Sequence, residues 1–238
     1  MKNLATSIWE VETFYRKRDV IIIGSGFTGL WTAIAIKEKH PKKSVLMIER
    51  HPIAAGASTR NAGFACFGSL TEITADSKKM GWKKTLELVK MRYEGLQKIQ
   101  HYFSSDEIDF ELCGGYEILN DKSTLEKLVE VNQHLFPITK TENTFSIANE
   151  KIKEFGLRKS EFLVENLCEG SLHSGKLLSK LVEKCHQLKV EFLCGTEVES
   201  VSENENELEI KMDENLSLKS DKVIFCTNAF SSKFLKSE

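Results

Sequence analysis

"DVIIIGSGFTGLWTAIAI", residues 19–36, is the stretch on which the fold turns. Val20 to Ile23 are apolar and β-branched without alternation, as in a strand buried on both faces of a parallel sheet. Glycines follow at 24, 26 and 29, and Leu30, Ala33, Ile34 and Lys37 then recur at helical spacing. Pro41 closes that helix, and "SVLMIER" (44–50) reads as a second buried strand. Residues 19–50 therefore form a βαβ unit. In that setting each glycine has its own task. Gly24 permits the tight turn, Gly26 lets backbone approach a pyrophosphate, and Gly29 lets helix and strand pack closely. The N–H groups of the first helical turn and the helix dipole favour an anion at this spot.

Glu49 is the fourth feature. It ends the second strand 20 residues past Gly29 (49 − 29 = 20), at the offset expected of a ribose-binding acid. A carboxylate there accepts hydrogen bonds from ribose and repels a 2′-phosphate. The ligand is an adenine dinucleotide without that phosphate, NAD or FAD.

Beyond Arg50 the periodicity stops. "HPIAAGASTRNAGFACFGSL" (51–70) is rich in small residues and reads as a long functional loop. A helix is expected over 82–103, with Leu86, Val89, Tyr93, Leu96 and Ile99 as its core stripe. "FELCGGYEIL" reads as two short strands across Gly114–Gly115, and "STLEKLVEVNQHLF" as a helix capped by Ser123. A strand over "FLVENL" and an amphipathic helix over "SGKLLSKLVEKCHQL" follow. The last part reads as strands "VEFLC", "TEVESVSE", "ELEIKM" and "LSLK", then one more buried strand in "DKVIFCTNAF". "SENENELE" reads as a hairpin tip.

Composition narrows the classes. The 238 residues carry a formal net charge of −2 and are 41% hydrophobic, enough for one large domain or two small ones. The near-neutral balance gives no electrostatic case for nucleic acid. Six cysteines, at 66, 113, 168, 185, 194 and 226, form no CxxC and have no zinc-finger histidine spacing. They read as buried free thiols in a reducing compartment, with no metal site. No apolar run reaches a membrane span, and the polar N-terminus lacks a signal core. The expectation is a cytoplasmic protein.

"GSGFTGL", "ER", "GASTRNAGF" and "EGSLHSGKL" together resemble the FAD-dependent D-amino-acid oxidase family, which includes glycine oxidase, sarcosine oxidase and D-amino-acid dehydrogenase. The resemblance implies an α/β fold: a Rossmann-type FAD-binding domain with an inserted α+β substrate domain. It divides the chain into 1–74 and 159–238 for FAD and 75–158 for part of the substrate domain. It also implies the N-terminal portion of a longer flavoenzyme, with the C-terminal part absent. Without that part, the strands "FELC" and "GGYEIL" are expected to lack partners and to expose Leu112 and Ile118. The 238-residue chain alone is then expected to show no amine oxidase activity and to bind FAD weakly if at all.

Residue by residue, the resemblance implies contacts to FAD from Gly24, Ser25, Gly26, Phe27, Thr28, Gly29, Glu49 and Arg50. It places Ala57, Ser58 and Thr59 at the pyrophosphate. Arg60 would offset the diphosphate charge and stands where some relatives carry a flavin-linking histidine, so binding is expected to be non-covalent. Asn61, Ala62, Gly63 and Phe64 match the part beside the flavin. Val198 matches a strand that meets adenine, and Thr227 and Asn228 a returning strand near the cofactor. The implied chemistry is hydride transfer from an amine-bearing carbon of a small amine or amino acid to flavin N5. That step demands no general base, and no catalytic residue is named. His173 reads as structural. Two other readings stay open: an NAD-dependent dehydrogenase, which the long loop opposes, and a non-catalytic FAD-binding or partner-binding fragment. The substrate, the electron acceptor and the oligomeric state are not legible.

Overall fold

The computed structural model describes residues 6–204, 207–213 and 216–234. Along the chain come α1 (Ile8–Thr13), β1 (Arg18–Ile23), α2 (Phe27–Lys39) and β2 (Val45–Glu49). A 3-10 turn (Ala57–Thr59), β3 (Phe64–Ala65) and α3 (Leu70–Tyr102) follow. Then come α4 (Ser105–Ile108), β4 (Gly115–Leu119), α5 (Lys122–Leu125), α6 (Leu128–Thr139), β5 (Phe145–Ile147) and α7 (Lys151–Glu154). The chain continues through β6 (Phe162–Asn166), β7 (Gly170–Ser171), α8 (Ser174–Gln187) and β8 (Glu191–Cys194). It closes with β9 (Ser200–Asn204), β10 (Glu207–Asp213), β11 (Leu216–Phe225) and a second 3-10 segment (Asn228–Lys233).

Two compact units divide the chain, one from the residues up to 61 and from 178 onward, the other Ala62–Leu177. The first border differs from the expected 74/75 because β3 pairs with β7, and the second from 158/159 because β6 pairs with β4 and β5, which fixes residues 162–166 in the second unit.

The first unit is built on a six-stranded sheet in the order β8-β2-β1-β11-β10-β9. β8, β2, β1 and β11 run parallel, with β10 and β9 antiparallel at one edge. Ile21, Ile22, Val45 and Met47 are fully buried, as a strand covered on both faces requires. Arg18, at the start of β1, is also buried and clamps Glu191 on β8 through Nε (3.2 Å) and Nη2 (2.5 Å). β11 is one strand of ten residues where two were expected. Its charged residues Lys219, Asp221 and Lys222 disguise it, because it leaves β10 partway along and only its second half enters the parallel core beside β1. β9 and β10 pair antiparallel up to Asn204 and Glu207, and the expected tip residues 205–206 lie outside the described residues.

The second unit holds a three-stranded antiparallel sheet, β4-β6-β5, under α3 and α6. Its core includes Phe67, Leu70, Val89, Leu135, Phe145 and Val164. The expected helix 82–103 begins earlier: Ser69 caps it at the Glu72 N–H (3.2 Å), and Gly81, at φ 80°, breaks it into two parts. The expected strand pair across Gly114–Gly115 does not form. "FELC" contributes one bridge, Glu111 to Ser171, while β4 finds its partner in β6. Leu112 and Ile118 are exposed as expected, but Ile118 lies on a paired strand. The expected helix from Ser123 splits in two, and its cap is Asp121, whose side chain accepts from the Ser123 N–H.

Candidate functional site: a dinucleotide cavity

The β1–α2 turn is shaped by contacts that leave no room for side chains. Gly24 has φ 103°, and a Cβ there would stand 2.5 Å from the Cys226 carbonyl oxygen of the neighbouring strand end. A Cβ on Gly29 would stand 2.0 Å from the Gly24 oxygen. These two positions fix how close α2 comes to the sheet, so its N-terminus opens at the carboxyl ends of β1, β2 and β11. α2 starts at Gly26 with no side-chain cap of its own and no acidic residue in its first turn. That terminus therefore keeps its positive character for an incoming anion.

A cavity of about 770 Å³ lies there, within the first unit. Gly24, Gly26, Phe27, Thr28, Ala57 and Ser58 form its wall at the helix start. Glu49, Arg50 and Val198 line another part, and Thr227 and Asn228 close it from β11. Ser58 stands at the start of α2: its Oγ accepts from the Phe27 N–H at 2.9 Å. Glu49 is buried, and its carboxylate is oriented by three donors. Oε2 accepts from Ser25 N and Ser25 Oγ, both at 3.0 Å, and Oε1 from His51 N at 3.1 Å.

Several expected residues support the cavity without lining it. Ser25 orients Glu49, and Gly29 packs against the turn. Thr59 Oγ1 donates to the Ala54 carbonyl (3.2 Å), and Asn61 Nδ2 donates to the Ala57 and Ser58 carbonyls (3.1 and 2.9 Å). These bonds hold the loop that carries Ser58. Arg60 is exposed and is not among the described lining residues. Ala62, Gly63 and Phe64 belong to the second unit, where Leu172 N donates to the Gly63 carbonyl (2.9 Å).

Sequence reasoning missed other lining residues: His51, Ala54, Thr196, Glu197, Phe230 and Lys233. Arg50 lies over the Phe230 ring, 4.5 Å from its centroid, a cation–π contact at the cavity wall. Lys233 bonds Glu197 at 2.8 Å and holds that carboxyl below its usual range. The basic and aromatic residues that follow "VIFCT" were a usable signal, since a strand returning beside β1 must end at the same cavity.

His173 is a helix cap: its Nδ1 accepts from the Lys176 N–H at 3.2 Å. The cysteines depart from the expectation. Cys66, Cys113 and Cys194 are exposed, Cys168 and Cys226 are half-buried, and Cys185 is buried. Most end short strands or sit in turns rather than in strand interiors. Among the described residues no three or more His, Cys, Asp or Glu are grouped to hold a metal, and no helix is long and apolar enough to cross a membrane.

The family model for FAD-dependent oxidoreductases of the DAO type matches residues 19–238. The chain belongs to this family. FAD, rather than NAD, is the dinucleotide that the family uses. A curated relative, the probable oxidoreductase OrdL of Haemophilus influenzae, is 27% identical over 216 residues, covering 89% of this chain and 49% of the relative. The chain thus spans about half the length of the curated relative it matches. Among solved structures, glycine oxidase from Geobacillus kaustophilus superposes with a TM-score of 0.68 at 14% identity, covering 91% of this chain and 57% of the other. L-amino acid deaminase from Proteus myxofaciens gives 0.65 at 18% identity, covering 92% and 47%. These likenesses are of fold.

The cavity fits the group. A helix N-terminus with no acidic residue in its first turn faces it, the glycine at the helix start leaves only 2.9 Å between a Cβ position and Ser58 Oγ, and a pre-oriented buried carboxylate stands at the end of β2.

Proposed function

We propose that this chain is the FAD-holding part of an oxidoreductase that oxidises a C–N bond of an amino acid or amine. The observation that carries the reading is the cavity at the carboxyl ends of β1, β2 and β11, with Glu49 and the start of α2 both presented to it. The structural neighbours named as a glycine oxidase and an L-amino acid deaminase support the choice of substrate class.

FAD, when bound, supplies the acceptor for a hydride from the amine-bearing carbon. The residues of this chain bind and orient it. The first turn of α2 and the Ser58 hydroxyl receive the diphosphate, Glu49 accepts from the ribose, and Val198 meets the adenine. Asn61, Ala62, Gly63 and Phe64 are assigned to the flavin end, and Arg60 to the diphosphate charge. Binding is non-covalent.

The test is anaerobic mixing of the FAD-loaded protein, alone and in its full gene context, with glycine, sarcosine, D- and L-amino acids and polyamines. Bleaching of the flavin absorption by at least one amine in the full gene context, with an imine-derived carbonyl as product, and no bleaching in the 238-residue chain alone, is the expected result. Bleaching by hydroxy acids or alcohols and by no amine would overturn the reading.

A further inference from the structure

Within the second unit, Glu169 is a buried carboxyl that the proposed chemistry does not use. Its Oε1 accepts from two consecutive backbone groups, Phe67 N at 2.8 Å and Gly68 N at 3.3 Å. The same short segment also holds the chain just before that turn: β7 pairs with β3, and Leu172 N donates to the Gly63 carbonyl at 2.9 Å. Residues 63–68 are therefore laid along residues 169–172, with Glu169 as the side-chain anchor at one end. The other carboxyl oxygen is accommodated by a glycine. A Cβ on Gly115 would stand 2.6 Å from Glu169 Oε2. Any other residue at 115 would displace the carboxylate, since the flexible side-chain end gives way before the strand does.

We propose that Glu169 is a positioning residue, whose carboxylate fixes the turn Cys66–Ser69 immediately after the segment assigned to the flavin. The assignment to the flavin rests on the reading above; the anchoring does not. The charged groups around the site are Glu117 on β4 and the ion-paired Glu72 and Arg92 on α3, 2.6 Å apart. Desolvation raises the Glu169 carboxyl above its ordinary value, the two N–H bonds oppose this, and Glu117 and Glu72 add to it. Cys66 reports on that charge. Its thiol is exposed, and it is pushed up by desolvation and then by Glu169 and Glu72, with Arg92 acting the other way.

Two variants separate charge from position. Glu169→Gln keeps an acceptor of the same shape and removes the charge. The pH midpoint of Cys66 alkylation, read by mass spectrometry of the Cys66 peptide, should fall, because a negative charge that raises the thiol is gone, with the fold retained. Gly115→Ala keeps the charge and pushes the carboxylate aside. Hydrogen exchange at the Phe67 and Gly68 amides should rise about tenfold, the loss of one hydrogen bond at each. Neither readout depends on flavin, so failure here is distinguishable from failure of the functional reading. An unmoved Cys66 midpoint in the first variant, unchanged exchange in the second, or global unfolding of either would overturn the proposal.

Discussion

Replacing Glu49 by glutamine should do two kinds of damage that can be measured separately. In the folded chain its carboxylate accepts from Ser25 N, Ser25 Oγ and His51 N at 3.0–3.1 Å. An amide has one oxygen, so one of its ends would turn an NH2 toward an N–H donor. A buried donor left without an acceptor costs about 1–3 kcal/mol, and that loss should appear in the urea midpoint of the protein without FAD. The second loss is the charged hydrogen bond to ribose, about 1.5–3 kcal/mol, which weakens FAD binding by about 10- to 150-fold. Titration of flavin fluorescence measures it. Glu38→Gln, on the exposed side of α2 and away from the cavity lining, is the control and should leave FAD affinity unchanged. Ser25→Ala should reproduce part of the stability loss while leaving the carboxylate's charge in place. Equal FAD affinities for Glu49→Gln and Glu38→Gln would remove Glu49 from the site and refute the reasoning.

Other consequences follow from the same geometry. Gly29→Ala sets a Cβ 2.0 Å from the Gly24 oxygen; the overpacked turn should lose about 1–3 kcal/mol in denaturant unfolding and bind FAD more weakly, and an unchanged protein would argue against the packing. Asp19 is held at about 2 by bonds from Ser44 and then Lys43. Its contribution is present above the ordinary carboxylate range and is lost as pH falls through the lowered value. Asp19→Asn should therefore be less stable than the parent at pH 7, with the gap closing between about pH 4 and 2. Burial pushes the Cys185 thiol up to about 12, so native-state alkylation at pH 8 should mark Cys66, Cys113 and Cys194 and spare Cys185. Labelling of Cys185 at a rate like theirs would contradict its burial.

The βαβ unit was legible because Val20–Ile23 and Val45–Ile48 are continuous apolar runs, which only a strand covered on both faces tolerates, and because glycines at 24, 26 and 29 need a turn and a close approach. The lining of the candidate cavity was legible where one residue type suits one place in the turn, as at Gly26, Ser58 and Glu49. It was not legible where the demand is met by a neighbour. Ser25 carries a motif position yet serves Glu49, and Thr59 and Asn61 serve the loop backbone. Phe230 and Lys233 reach the cavity from the 3-10 segment that follows β11, a strand whose polar half resembles an exposed ribbon. The first part of α3 was hidden because Thr74, Ser77, Lys78 and Lys79 dilute its period, and the tertiary contacts of Leu70 and Ile73 decide it. The FELC strand failed because propensity does not supply a partner, and β6 took β4 instead.

The central claim is that this cavity holds FAD non-covalently. The deciding measurement is the visible spectrum of FAD-reconstituted protein, in a version long enough to complete the fold, after desalting and then acid precipitation. The expected result is a flavin spectrum that survives desalting, is lost in Gly26→Arg, and passes into the supernatant on precipitation. Colour that stays with the precipitate would contradict non-covalent binding, and a colourless protein after reconstitution would contradict the claim itself.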